Sequence, residues 1–177
     1  MSLKTILSTY SDVIKYILRF VFLYIVFSFV YTKYLAFFEG QTDYFTRNVA
    51  VNVAKVYHLL GIDANVETLH TTGLKLIVNG KYVARIVEGC SAASLIILFS
   101  VFILSFGRFK LKKLVFLILG IFSIYVFNII RIVFLGYVLY AFPQYQDFLH
   151  RVLFPALIYG WIVLLWIIYI KKIESYA

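Results

Sequence analysis

Apolar residues fall along this chain in four long runs, set apart by stretches where polar side chains recur every few positions. The runs are "VIKYILRFVFLYIVFSFVYTKYLAFF" (about 13–38), "CSAASLIILFSVFILSFG" (90–107), "LVFLILGIFSIYVFNIIRIVFLGYVLY" (114–140) and "VLFPALIYGWIVLLWIIYI" (152–170). Each approaches or exceeds the roughly 20 helical residues that cross about 30 Å of hydrocarbon. The pattern predicts an all-α polytopic membrane protein with four transmembrane helices, forming one integral domain over 1–177. The first run is long and lacks an A-x-A exit, so it reads as an uncleaved anchor rather than a removed signal peptide.

Between the first two runs, from about 39 to 89, the periodicity changes. Phe45, Val49, Val53, Val56 and Leu60 recur at helical spacing within 42–62, which predicts an amphipathic helix on the membrane surface, with Thr42 as its cap. Asp43, Arg47, Asn48, Asn52, Lys55 and His58 make that segment too polar to be a fifth span. Next, "LKLIVNGKYVARIV" (74–87) joins two β-rich runs through Asn79-Gly80, a pair suited to the positive φ angles of a two-residue turn. A small β-hairpin is expected there.

Composition agrees with the pattern. Of 177 residues, 63% are hydrophobic and 14% charged, and the mean hydropathy is +0.94. A core this small cannot hide that much apolar surface from water. The net charge of +9 would point to nucleic acid in a soluble domain. Here the bases sit beside apolar runs, so topology and anionic lipid headgroups account for them and no nucleic-acid partner is expected. "GRFKLKK" (107–113) places four bases between the second and third runs, and Lys171-Lys172 follows the fourth. With Lys4, Lys15 and Arg19, these put both termini in the cytoplasm and the 39–89 and 141–151 segments outside.

That orientation brings chemistry-bearing residues to one level. Cys90, the only cysteine, opens the second run at its outer end. Arg131 lies 17 residues after Leu114, a rise of ~25 Å at 1.5 Å per residue, near the same boundary. His150 precedes the re-entry of the fourth run. A lone cysteine in a membrane helix is usually a small apolar filler. Nine apolar residues follow Arg131, however, and an ionisable group flanked by membrane on both sides reads as functional. A thiolate attacks carbonyls, an imidazole moves the proton, and a guanidinium steadies the thiolate or an oxyanion. Asn128 shares a face with Arg131 and would orient it or donate to the oxyanion. Ser94 lies one turn after Cys90, and Asp147, one turn before His150, would orient the imidazole. Glu88 reads instead as a solvated boundary charge. One cysteine excludes a disulfide or CxxC relay, and three scattered histidines give no metal or cofactor site.

At "EGCSAAS", "NIIR" and the histidine of "FLHR", in that order, the chain resembles the exosortase/archaeosortase family of membrane cysteine transpeptidases, most closely its exosortase F branch. The resemblance covers the carboxy-terminal half. Family members carry a cysteine, an arginine and a histidine in this arrangement, which falls here on Cys90, Arg131 and His150. Many members have Cys-Ser-Gly at the nucleophile, whereas Ala92 holds the glycine position in this chain. The resemblance implies a bacterial inner-membrane protease that cuts carboxy-terminal sorting signals from exported proteins at the outer face. The signal's transmembrane helix would be its partner, and an amine or water its acyl acceptor. The alternative is a non-enzymatic subunit of an export or polysaccharide-secretion complex, in which Arg131 pairs with a partner helix and Cys90 is filler.

Overall fold

A computed structural model describes residues 11–38, 40–69, 72–106 and 110–174; the side chains of His150, Ile173 and Glu174 lie outside the described set. In chain order it holds helix α1 (Ser11–Ala36), helix α2 (Tyr44–Leu59), strands β1 (Ala64–Thr68), β2 (Leu74–Val78) and β3 (Lys81–Ile86), then helices α3 (Ala93–Ser105), α4 (Leu111–Ala141) and α5 (Phe154–Ile168). A 3-10 turn, Pro143–Tyr145, an α turn, Gln146–Phe148, and a π turn, Leu149–Leu153, lead from α4 into α5. The fold is mostly helical with one three-stranded sheet. Three segments are long and apolar enough to cross a membrane: Ser11–Ala36, Leu111–Ala141 and Pro143–Lys172.

The second apolar run differs from expectation. Only its 13 residues Ala93–Ser105 are helical, a length of ~20 Å. The cause is local. Glu88–Cys90 coil into a 3-10 turn in which the Cys90 N–H donates to the Val87 carbonyl at 2.8 Å. Ala92 then takes φ 61° and ψ 11°, and the helix begins only beyond it. Cys90 therefore sits on a turn ahead of α3, not on its first helical turn.

The other end of α3 is closed by a side chain from α4. Lys113, expected among the free bases of the connection, is buried, and its Nζ donates to the carbonyls of Leu104 (3.2 Å) and Phe106 (2.5 Å). An ammonium on the unpaired carbonyls of a helix C-terminus satisfies acceptors and complements the dipole. Lys4 and Arg108 lie outside the described residues.

Between these ends α3, α4 and α5 pack through matched large and small side chains. The tip of the Phe99 ring reaches Gly120, where any Cβ would collide with it. Phe102 stacks on Trp166 at 4.5 Å and Phe127 on Trp161 at 4.9 Å, and the Trp161 indole donates to Ser123 Oγ at 2.9 Å. Close fit and internal hydrogen bonds of this kind hold helices together in lipid, where the hydrophobic effect offers little. α1 buries none of its side chains and rests on α3, with Tyr16 edge-on to Phe106 at 4.9 Å.

Beyond the bundle sits a second core of a different kind. Asp43, not Thr42, caps α2: its Oδ1 accepts from the N–H groups of Phe45 (2.9 Å) and Thr46 (3.0 Å). Thr42 instead accepts from the Gly73 N–H at 2.9 Å. Val49, Ala50, Val53 and Tyr57 form the buried face of α2, which packs on the sheet and on Ile129, Ile132 and Val133 of α4. The amphipathic face thus meets protein, not a membrane surface. Asn79 and Gly80, at φ 48° and 72°, make the β2–β3 turn. β2 buries Leu74, Leu76 and Val78, each contributing roughly 1.5–3 kcal/mol. The sequence pattern missed β1, which pairs antiparallel with β2 from Ala64↔Val78 to Thr68↔Leu74. "ANVET" has one buried residue and no alternation strong enough to announce a strand.

Candidate active site

β3 runs directly into the turn that carries Cys90, and α4 passes beside it. Asn128 of α4 is fully buried, and its Nδ2 donates to the Cys90 carbonyl at 2.8 Å. It grips the cysteine's own backbone, rather than orienting Arg131. On the other side of Cys90, Ser91 Oγ donates to the Glu88 carbonyl at 2.7 Å and accepts weakly from the Ala93 N–H at 3.4 Å. The half-buried thiol is therefore held by a turn fastened at three points.

Cys90 and Arg131 line one cavity of 470 Å³, a volume typical of ligand sites. Its walls are β3 and the turn on one side, Ile132, Leu135 and Leu139 of α4 on another, and Gln146, Phe154 and Pro155 at the third. Two atoms of α4 next to Cys90, Arg131 Nε and Asn128 Oδ1, are sealed from solvent with no hydrogen-bond partner among the described residues. A buried polar atom left unpaired costs about 1–3 kcal/mol, and such atoms gather where a ligand completes the set.

The remaining candidates fall differently. The backbone of His150 lies in the Leu149–Leu153 π turn, between the cavity residues Gln146 and Phe154; its side chain is outside the described set. π turns recur at functional sites because they shift side chains off the α-helical register. Asp147 is exposed on the preceding α turn. Ser94 is exposed on α3 and does not line the cavity, because the Ala92 reversal separates it from the face of Cys90. Glu88 is half-buried and also outside the cavity. The sequence reading did not find the apolar walls, or the contact of Asn128 with the Cys90 backbone. Among the described residues no cluster of His, Cys, Asp or Glu could hold a metal ion.

No curated protein and no solved structure matches the chain. One family model does, over residues 6–170, and it is described as transmembrane exosortase. That span takes in all three long apolar helices except the last residues of the third, along with the sheet, the Cys90 turn and Arg131. The chain is a multi-pass membrane protein and belongs to the transmembrane exosortase family.

Proposed function

We propose that this chain is a membrane thiol transpeptidase of the exosortase F type. It would cut carboxy-terminal sorting signals from exported proteins at the outer face of the bacterial cytoplasmic membrane. The observation that carries the reading is the shared cavity of Cys90 and Arg131, with a buried guanidinium nitrogen left unpartnered beside the only thiol. In a non-catalytic subunit Arg131 would pair with a partner helix, and nothing would require the only cysteine to share its cavity.

The roles follow from the chemistry. His150 takes the thiol proton and the Cys90 thiolate attacks the scissile carbonyl. A C–S bond forms, the carbonyl oxygen becomes an oxyanion, and Arg131 donates to it. His150 returns the proton to the leaving amine as the C–N bond breaks, and the severed transmembrane helix departs. An acceptor amine or water then attacks the thioester, giving its proton to His150 and restoring the thiol. Asn128 fixes Cys90 through its carbonyl.

The topology belongs to the same proposal. α3 completes a fourth span with the Glu88–Ala92 turn at its outer end, and both termini are cytoplasmic. The test is the full chain expressed with a reporter bearing a transmembrane sorting signal. Cys90→Ala inserts and accumulates normally while processing is lost. Full processing by Cys90→Ala would end the thiol mechanism.

A further inference from the structure

The cavity touches six consecutive residues, Tyr82 to Val87. Side chains along a strand alternate between faces, so a cavity on one face meets every second residue. One that meets all six runs along the strand's edge, where backbone N–H and C=O groups point. The sheet order is β1-β2-β3, so β3 is bonded on one side only. Among the described residues no other backbone segment pairs with the outer side of Tyr82, Val83, Ala84 or Ile86. Leu76 pairs with Ala84 and Ile77 with Tyr82, which leaves Val83 as a bulge within this edge. The strand then leads through Val87 and Gly89 into Cys90, and the opposite wall is apolar: Ile132, Leu135, Leu139 and Phe154.

We propose that the exported peptide binds by strand addition. The segment upstream of the scissile bond lies along the outer edge of β3 and delivers its carbonyl to Cys90. The inference rests on the thiol transpeptidase reading and adds how that site recognises its substrate. β3 runs toward Cys90, and the acyl end of the substrate must also finish there, so the added strand is parallel to β3. Main-chain hydrogen bonds supply the affinity, and alternate side chains face the apolar wall of α4 and α5. Recognition is then of backbone first and of sequence second.

The probe is acetyl-tetra-alanyl chloromethyl ketone, applied to the full chain in membranes. Attack by Cys90 forms a thioether and releases chloride, and mass spectrometry reads the rate. Four further probes each carry one N-methylated alanine. A parallel strand donates to β3 through every second amide, so N-methylation at two alternate positions should slow labelling about 10-fold, while the other two positions stay within about twofold. A benzophenone in place of the acetyl group should crosslink to Lys81, Tyr82 or Val83. Equal effects at all four positions, no effect at any, labelling no faster than with chloroacetone, or crosslinks to the α4 wall would each overturn strand addition. A bulge that only guards the edge against aggregation predicts the flat profile. The reporter assay with Cys90→Ala separates the two levels. A flat N-methyl profile with an inactive Cys90→Ala removes strand addition and leaves the enzyme standing, whereas an active Cys90→Ala removes both.

Discussion

Arg131 has apolar helix on both sides of it and an Nε sealed from solvent without a partner among the described residues. Two roles are open to such a side chain, and they make different demands. An interfacial anchor needs only a long stem and a positive head, which lysine also has. A donor to a thiolate or an oxyanion needs a planar fork held in place, which lysine lacks. Arg131→Lys should therefore insert normally and still be alkylated at Cys90, yet lose most processing. Removing one oxyanion donor typically lowers the rate about 100- to 1,000-fold, or ~3–4 kcal/mol. Near-normal turnover would return Arg131 to an anchor. Ala92 shows how tightly the neighbouring turn is set. It holds the left-handed φ of 61° that glycine adopts freely, at about 1–2 kcal/mol for a residue with a Cβ. In this chain the three hydrogen bonds around Cys90 sustain the strained form.

Among the elements, α2 and the sheet decide whether the cavity has a wall at all, and one contact fastens them to α4. Tyr57 is fully buried, and its hydroxyl donates to the Val133 carbonyl at 2.5 Å, fitting over Gly136 where no Cβ intervenes. Burial pushes its pKa from 10.0 up to about 12. The folded state thus prefers the neutral phenol. This contribution is complete below pH 10 and disappears as pH rises toward 12. Tyr57→Phe should lower stability by ~1–2 kcal/mol, since the carbonyl loses its partner in a dry site, and should flatten the alkaline limb of a thermal-unfolding profile above pH 10. An unchanged limb would show that Tyr57 ionises without disturbing the dock. Much of this layer was legible in the sequence. Val49 and Val53 mark the buried face of α2, and Asn79-Gly80 marks the hairpin turn. The remainder was not, because it depends on partners distant in the chain. β1 is a strand only because β2 pairs with it. Lys113 is a cap only because α3 ends beside it. The truncation of the second apolar run follows from an alanine in a glycine conformation, which composition does not reveal. For the site, counting the rise along α4 placed Arg131 near the level of Cys90, but no spacing rule could show that a strand edge completes the cavity.

At the scale of the whole molecule the two ends differ in kind. One end carries the sheet, the Cys90 turn and the cavity; the other carries Lys110, Lys112, Lys171 and Lys172 beside the ends of apolar helices. Lysines flanking short connections stay on the cytoplasmic side, which supports the proposed orientation, with the sheet end outward where exported proteins are found. This can be measured without a substrate. In a Cys90→Ala background, Glu67→Cys on β1 and Lys171→Cys beyond α5 place single exposed thiols at opposite ends. In intact spheroplasts a membrane-impermeant maleimide should label Glu67→Cys at once and Lys171→Cys only after permeabilisation, and a phosphatase reporter fused after Ala177 should stay inactive. The reverse pattern would put the cavity in the cytoplasm, away from every exported chain. The sorting function would then fall even if Cys90 proved to be a reactive nucleophile. Labelling of both sites in intact spheroplasts would instead break the four-span count, because it requires an even number of crossings between the sheet and the carboxy terminus, whereas α3, α4 and α5 supply three and put Lys171 inside.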